Sequence, residues 1–174
     1  MELPYELEDL VLGYLVDDAS ALRNCSLACR RFTPIAQRCL FTRSRVKFIF
    51  TESKDHSRQE RFRSLILSSP HIAKLVESVS VINNNDNTRN LAQLTHFLGE
   101  TNLPECLPML TSLRDFSLEN TGLAALYWTS ASRRMKIALG TIFQFVTNIY
   151  FFRIMNIPLS VLAGCRALES LSLV

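Results

Sequence analysis

The sequence predicts an α/β protein in which a small N-terminal helical module precedes an irregular α/β solenoid. Apolar residues recur at helical spacing through the first part of the chain. Beyond it, four segments share an apolar-x-x-apolar-x-apolar core, with helical candidates between them, as expected of stacked repeats. The 174 residues are 48% hydrophobic, which suffices for a packed core. We expect a helical module over 1–42, a strand and linker over 43–59, and a repeat region over 60–174.

The first helix is predicted from an apolar stripe near the N-terminus. Its members fall at i, i+3, i+4, i+7 and i+8, which is one face of a helix: Leu7, Leu10, Val11, Tyr14 and Leu15. Pro4 suits the first turn, where a missing N–H costs nothing. The pair Asp17-Asp18 is expected to end this helix and to cap the next one.

Two further short helices follow from the same kind of pattern. The second is predicted over 21–31, with an apolar stripe made of Leu22, Cys25, Cys29 and Phe32, and with Leu27 beside it. Thr33-Pro34 is typical of a cap followed by proline in the first turn. The third helix is then expected to turn Ile35, Cys39 and Leu40 inward. A unit of this size is too small to be very stable alone.

Three landmarks in this region resemble the F-box family, and in particular the F-boxes of fungal, mushroom-type proteins. They are Leu3-Pro4 before the first helix, "CRRF" at 29–32, and the hydrophobic pair Leu40-Phe41. The resemblance covers residues 1–42 and implies docking to the Skp-type adaptor of a cullin–RING ubiquitin ligase. The adaptor-binding residues that it implies are Leu3, Pro4, Leu7, Val11, Leu15, Leu27, Cys29 and Phe32.

The cysteines and histidines do not form a pattern typical of metal or thiol chemistry. Cys25 and Cys29 could face one metal ion from adjacent turns, but no histidine lies near them and no CxxC pair exists. Without a secretion signal, we expect all five cysteines to be reduced and free of metal. No glycine-rich phosphate loop or nucleophile motif occurs. We therefore predict no catalytic, cofactor-binding or metal-binding residues, and no enzymatic activity.

The repeat region is predicted from strand-like cores. Val46, Phe48 and Phe50 alternate as in a strand, and 51–59 is polar and linker-like. The four repeated cores are Val76/Val79/Val81, Leu113/Phe116/Leu118, Ile149/Phe152/Ile154 and Leu168/Leu171/Leu173. Helices are expected between them at 60–67, 90–98 and 133–146. Repeated strand-plus-helix units usually build a parallel sheet.

Two stretches of this region resemble leucine-rich repeats, namely "LTSLRDFSLENTGL" at 110–123 and "CRALESLSLV" at 165–174. Asn120 is the best match to the asparagine position of that family. In many F-box proteins such repeats receive the substrate, and the resemblance implies the same here. An ordinary small α/β domain with coincidental spacing remains the alternative. Because no polar capping helix follows Leu173, we expect the solenoid to be truncated or to be covered by another chain.

We therefore predict a substrate-recognition adaptor of an SCF-type ubiquitin ligase, with the Skp-type adaptor, cullin and an unknown protein substrate as partners. The alternative is a repeat-based scaffold or nucleic-acid-binding protein outside ubiquitination. A net charge of +3 and acidic residues within the basic segment Arg43–Arg63 disfavour nucleic acid. Polar interruptions of the apolar segment 137–164 disfavour a membrane span. We expect a cytoplasmic or nuclear location, and the sequence singles out no substrate-binding residue.

Overall fold

A computed structural model describes residues 4–42, 45–50, 57–84, 102–122 and 126–174. Helices and strands alternate over most of this length. The main sheet has five strands, and every pair of neighbouring strands in it runs parallel. The predicted α/β class is therefore confirmed at the level of a mixed fold with a parallel sheet.

Three short helices form the N-terminal part of the structure: α1 (Tyr5–Gly13), α2 (Ala19–Ala28) and α3 (Thr33–Thr42). Their shared core consists of Leu12, Leu22, Ile35, Ala36 and Cys39, all buried. The Asp18 side chain accepts hydrogen bonds from the backbone N–H groups of Ser20 and Ala21, at 3.0 and 2.9 Å. The predicted Asp18 cap is therefore confirmed, and it sets the start of α2.

The second helix is shorter than predicted at its C-terminal end. It stops at Ala28, because Cys29 has an extended backbone with φ −146° and ψ 125°. Thr33 is already helical, and its hydroxyl donates to the carbonyl oxygen of Ser26 at 3.0 Å. This hydrogen bond joins the start of α3 to the end of α2.

The main sheet has the strand order β1-β2-β3-β5-β7. Its strands are β1 (Val46–Phe50), β2 (Ser78–Asn83), β3 (Asp115–Asn120), β5 (Asn148–Phe152) and β7 (Ser170–Leu173). A small parallel pair joins β4 (Leu126–Tyr127) to β6 (Ile154–Met155). The helices between strands are α4 (Ser57–Ser68), α5 (Pro70–Ala73), α6 (Leu103–Cys106), α7 (Arg133–Ile142) and α8 (Leu159–Leu162). Short 3₁₀ turns occupy Leu107–Met109 and Trp128–Ser130.

Two of the three helices predicted between the strand cores fall within the described residues, and both are present with shifted ends. The helix expected over 60–67 is α4, which begins three residues earlier and so takes the end of the predicted linker. The helix expected over 133–146 is α7, which ends at Ile142 and is capped by the Ser132 hydroxyl, 3.1 Å from the Met135 nitrogen. The helix expected over 90–98 and most of the remaining linker lie outside the described residues.

The strands are aligned so that alternating apolar residues of neighbouring strands lie side by side. One row across the sheet contains Val46, Val79, Phe116, Ile149 and Leu171. The next row on the same face contains Phe48, Val81, Leu118, Phe151 and Leu173. Most of these side chains belong to one buried cluster that includes residues of α4, α6 and α7. The helices therefore pack on this face of the sheet.

The third repeated core was predicted in the wrong register. The repeated pattern predicts Ile149, Phe152 and Ile154 as the core positions, but the structure buries Val146, Ile149 and Phe151 in their place. The apolar run around Ile149 fits both frames, so the sequence pattern alone does not choose between them. Tertiary packing determines the register, because Phe151 lies edge-to-face against both Phe143 and Trp128, with ring centroids 6.1 and 6.2 Å apart.

An asparagine pair joins the ends of β2 and β3 inside the protein. Asn83 donates its side-chain N–H to the Asn120 amide oxygen at 2.9 Å, and both side chains are almost fully buried. Asn120 is the residue that the sequence analysis matched to the repeat asparagine, and its partner belongs to the asparagine run at 83–85. This pair satisfies polar groups that would otherwise be costly to bury.

The apolar segment 137–164 folds into the end of α7, the strands β5 and β6, and α8. Within the ranges that the structure describes, no helix has both the length and the apolar character required to cross a membrane.

Candidate functional site

The most conspicuous surface of the N-terminal helices is an apolar stripe on α1 that faces solvent. Its members are Leu7, Leu10, Val11 and Tyr14, which we call the α1 stripe. They lie at i, i+3, i+4 and i+7, so they share one side of the helix. The exposed fractions of the four side chains range from 46% for Leu7 to 80% for Tyr14. Contiguous exposed apolar surface of this kind marks interaction sites in proteins.

The opposite side of α1 is buried, although it carries a carboxylate. Glu8 and Leu12 are one helical turn apart, and their exposed fractions are only 5% and 3%. Arg31 Nε lies 3.0 Å from Glu8 Oε2, within ion-pair distance but outside hydrogen-bond geometry. Burying a carboxylate without a cation nearby would be costly. Arg31 therefore compensates a charge that the rotation of α1 has turned inward.

A second ion pair holds α1 against α3. Arg38 donates to the Asp9 carboxylate, and this hydrogen bond raises the pKa of the Arg38 guanidinium. Together with the Glu8–Arg31 pair, it attaches the acidic side of α1 to the rest of the helical unit. The apolar side is left outward as a consequence, because the two sides of a helix cannot both face the same neighbour.

The structure separates the predicted adaptor-binding residues into two groups. Pro4, Leu7, Val11 and Leu27 are exposed, and Leu27 reaches 85%. Leu15 and Phe32 are half-buried and pack against the core of the three helices. Cys29 is half-buried at the end of α2, and Leu3 lies outside the described residues.

Two members of the α1 stripe, Leu10 and Tyr14, were not among the predicted binding residues. The signal that could have found them is the helical spacing that they share with Leu7 and Val11. The sequence analysis placed all four on one apolar face. It did not identify Glu8 and Leu12 as the inward side, since that depends on Arg31, which follows much later in the chain.

A polar cleft of about 330 Å³ lies between α1 and α3, lined by Asp9, Gly13, Arg38, Cys39 and Thr42. Its two charged side chains pair with each other. The cleft therefore presents no uncompensated charge with which to bind an ionic ligand.

The cysteines are free, and they are spread over both parts of the fold. Cys39 and Cys106 are buried, and burial raises the pKa of the Cys106 thiol to about 11. Burial also raises the pKa of Cys165. The thiols of Cys106 and Cys165 are therefore protonated at neutral pH, and neither is an activated nucleophile. Over the described ranges, no group of three or more histidine, cysteine, aspartate or glutamate residues is arranged to hold a metal ion.

The second surface of interest is the face of the main sheet that points away from the helices. Its side chains alternate with the buried rows: Lys47 and Ile49 on β1, Ser78, Ser80 and Ile82 on β2, Asp115, Ser117 and Glu119 on β3, Asn148, Tyr150 and Phe152 on β5, and Ser170 and Ser172 on β7. We call it the outer sheet face. It mixes polar, acidic and aromatic groups, unlike the uniformly apolar α1 stripe. The protein therefore carries two chemically different surfaces.

Comparison with known proteins finds no matching family model, no matching curated protein and no matching solved structure. The function is therefore proposed from the two surfaces described above and from the residues that carry the family resemblances.

Proposed function

We propose that the chain is a non-catalytic substrate-recognition adaptor of an SCF-type ubiquitin ligase. In this function, the N-terminal helices are an F-box module that docks a Skp-type adaptor, and the parallel sheet is part of a repeat solenoid that holds the target protein. The observation that carries the proposal is the α1 stripe, in which four apolar side chains face solvent while Glu8 on the same helix is buried. A helix with this orientation is suited to a partner's apolar groove.

Energetics support docking through this stripe. Burying one leucine or valine side chain fully is worth about 1.5–3 kcal/mol. Leu7 and Val11 are near half exposure, so covering either one would contribute roughly half of that value. The other two members of the stripe, Leu10 and Tyr14, add further apolar area. A partner that covers the whole stripe thus gains several kcal/mol, which is enough to offset part of the cost of association.

The way in which the helical unit joins the sheet also suits an adaptor. Phe41, in the last turn of α3, packs against the large core beneath the sheet. A hydrogen bond of 3.2 Å links Gln37 of α3 to the His71 ring of α5. These contacts would hold a bound target in a defined position relative to the docked ligase. Such an adaptor acts by raising the effective concentration of the target near the ubiquitin-loaded enzyme.

The alternative is a repeat-based scaffold that uses the same surfaces without a ubiquitin ligase. Co-purification from cell extract separates the two. The wild-type chain is expected to retain a Skp-type adaptor and cullin, whereas the variants Leu7→Asp and Val11→Asp are expected to lose both, because each forces an unpaired charge into the apolar contact.

The matched control for these variants is Ile137→Asp. Ile137 is also an exposed aliphatic residue on a helix, with 61% of its side chain exposed, but it lies on α7. This variant should keep the adaptor. Partners retained without adaptor or cullin would favour the scaffold, and equal adaptor yield from all four proteins would reject docking through the α1 stripe.

A further inference from the structure

The centre of the outer sheet face carries two carboxylates on one strand. Asp115 and Glu119 are separated by four residues on β3, so both point to the face that the helices do not cover. Each is only partly exposed. In the described part of the chain neither carboxylate forms an ion pair, whereas Glu105 on the helical side lies within 3.0 Å of Arg63 and 2.9 Å of Arg134.

The Glu119 carboxylate is held in place by neutral hydrogen-bond donors. Its Oε1 accepts from the Ser117 hydroxyl at 2.8 Å and from the Ser80 hydroxyl at 3.0 Å. Both serine side chains are almost fully buried, with exposed fractions of 2% and 1%. Asp115 Oδ1 accepts from the Asn148 amide at 2.6 Å. These donors orient the two carboxylates, and none of them carries a formal positive charge.

The neighbours of Glu119 across the sheet are apolar. Ile82 of β2 and Phe152 of β5 are its register partners on the two sides, and Ile49 of β1 lies beyond Ile82 with 42% of its side chain exposed. The Phe152 ring stacks on the Tyr150 ring, with centroids 6.4 Å apart and planes 13° from parallel. Glu119 is therefore a carboxylate flanked by an aliphatic surface and an aromatic pair.

We propose that this part of the outer sheet face binds an extended peptide segment through its arginine or lysine side chains. A cationic head would make charge-assisted hydrogen bonds to Glu119. Its aliphatic stem would cover Ile82, and the aromatic pair would add a cation–π contact. The inference rests on the proposed function in that it names the class of target segment that the adaptor would hold.

The spacing of the two carboxylates predicts a sequence preference. Four residues of strand extend about 13 Å, which is the same distance that separates positions i and i+4 of an extended peptide. Side chains at i and i+4 also point to the same side of that peptide. The face is therefore expected to prefer segments with two basic residues four apart over segments in which the basic residues are adjacent.

Synthetic fluorescein-labelled peptides, titrated with the full chain and followed by fluorescence anisotropy, test this inference. The probe has arginines at positions i and i+4 in a neutral background of alanine, leucine and serine. One matched peptide has glutamine at both positions, and another carries the two arginines side by side. We expect the probe to bind at least about tenfold more tightly than the glutamine peptide, in line with the greater strength of charge-assisted hydrogen bonds. We also expect the adjacent-arginine peptide to bind more weakly than the probe.

Protein variants assign the binding to the two carboxylates. Glu119→Gln keeps an oxygen that can accept from both serines but removes the charge, so it should lose most of the preference for arginine over glutamine without unfolding. Asp115→Asn should lose the preference for the i, i+4 spacing. Asp17→Asn, which removes an exposed charge after α1, should bind the probe as the wild type does.

The outcomes separate this inference from the proposed function. Leu7→Asp should bind the arginine probe normally while losing the adaptor. Glu119→Gln should keep the adaptor while losing most of its preference for the arginine probe. An arginine peptide that binds no better than its glutamine match, or a Glu119→Gln variant that keeps wild-type affinity and preference, would overturn the inference. Neither result would bear on adaptor docking.

Discussion

Replacing either of the two adjacent phenylalanines of β5 tests the register of the sheet. Phe151 has only 1% of its side chain exposed and lies edge-to-face against Phe143 and Trp128, whereas Phe152 is half-buried on the outer sheet face. Phe151→Ala should therefore lower the free energy of unfolding by about 3–5 kcal/mol, the usual cost of removing a buried phenylalanine. Phe152→Ala loses one stacked pair and part of a half-buried ring, which together amount to about 1 kcal/mol.

Urea unfolding of the full chain measures this difference. Trp128 is the only tryptophan, and its indole contacts the Phe151 ring, so its fluorescence reports unfolding at the site of the change. Circular dichroism provides a second probe. Phe151→Leu, which fills most of the same volume, should fall between the wild type and Phe151→Ala. If Phe152→Ala cost as much as Phe151→Ala, the register described above would be wrong, and the frame with Phe152 inward would be favoured.

Three further expectations concern buried and charged groups. Asn83→Ala removes the 2.9 Å hydrogen-bond donor of the buried Asn120 amide, so it should lower the free energy of unfolding in urea by about 1–3 kcal/mol. Asn84→Ala, at the neighbouring exposed position, should lower it less, and equal losses from the two variants would argue against the buried pair. Arg63 and Arg134 lower the pKa of Glu105 from its ordinary value of 4.5, so the stability that this carboxylate contributes is present above that value and is lost as the pH falls through the lowered pKa. Glu105→Gln should thus reduce the acid dependence of the melting temperature, and an unchanged dependence would contradict this. Cys39 and Cys106 should resist a thiol reagent in the native protein and react after unfolding; rapid native labelling of both, located by mass spectrometry, would contradict their burial.

The sequence predicted those features that depend on neighbouring residues. Alternation of strand cores and helical stretches indicated the α/β class, and the pair Asp17-Asp18 indicated where α2 begins. The cores at Val76 and Leu113 were placed correctly because the positions between their apolar residues are all polar. After Ile149 the next three residues are all aromatic, so the local pattern fitted two frames. Contacts with distant aromatic rings decide between these frames.

The candidate site was predictable as a pattern but not as a surface. Helical spacing showed that Leu7, Leu10, Val11 and Tyr14 share a face, yet an apolar face usually turns inward. Here it faces outward, because the acidic side of α1 is held by two arginines of the following helices and their connection. The carboxylates of the outer sheet face were missed for a similar reason. Their neighbours Ser80, Asn148 and Phe152 are remote in the chain and meet only through strand register.

A direct titration of the purified full chain with a purified Skp-type adaptor is the measurement closest to the central claim. We expect a one-to-one complex. We also expect that Val11→Asp weakens the complex by at least about a hundredfold, since a buried unpaired charge costs several kcal/mol and each 1.4 kcal/mol is a factor of ten. Ile137→Asp is predicted to bind as the wild type does. A wild-type chain that does not bind the adaptor, or a folded Val11→Asp variant that binds it with unchanged affinity, would contradict the claim that the α1 stripe docks a ubiquitin ligase.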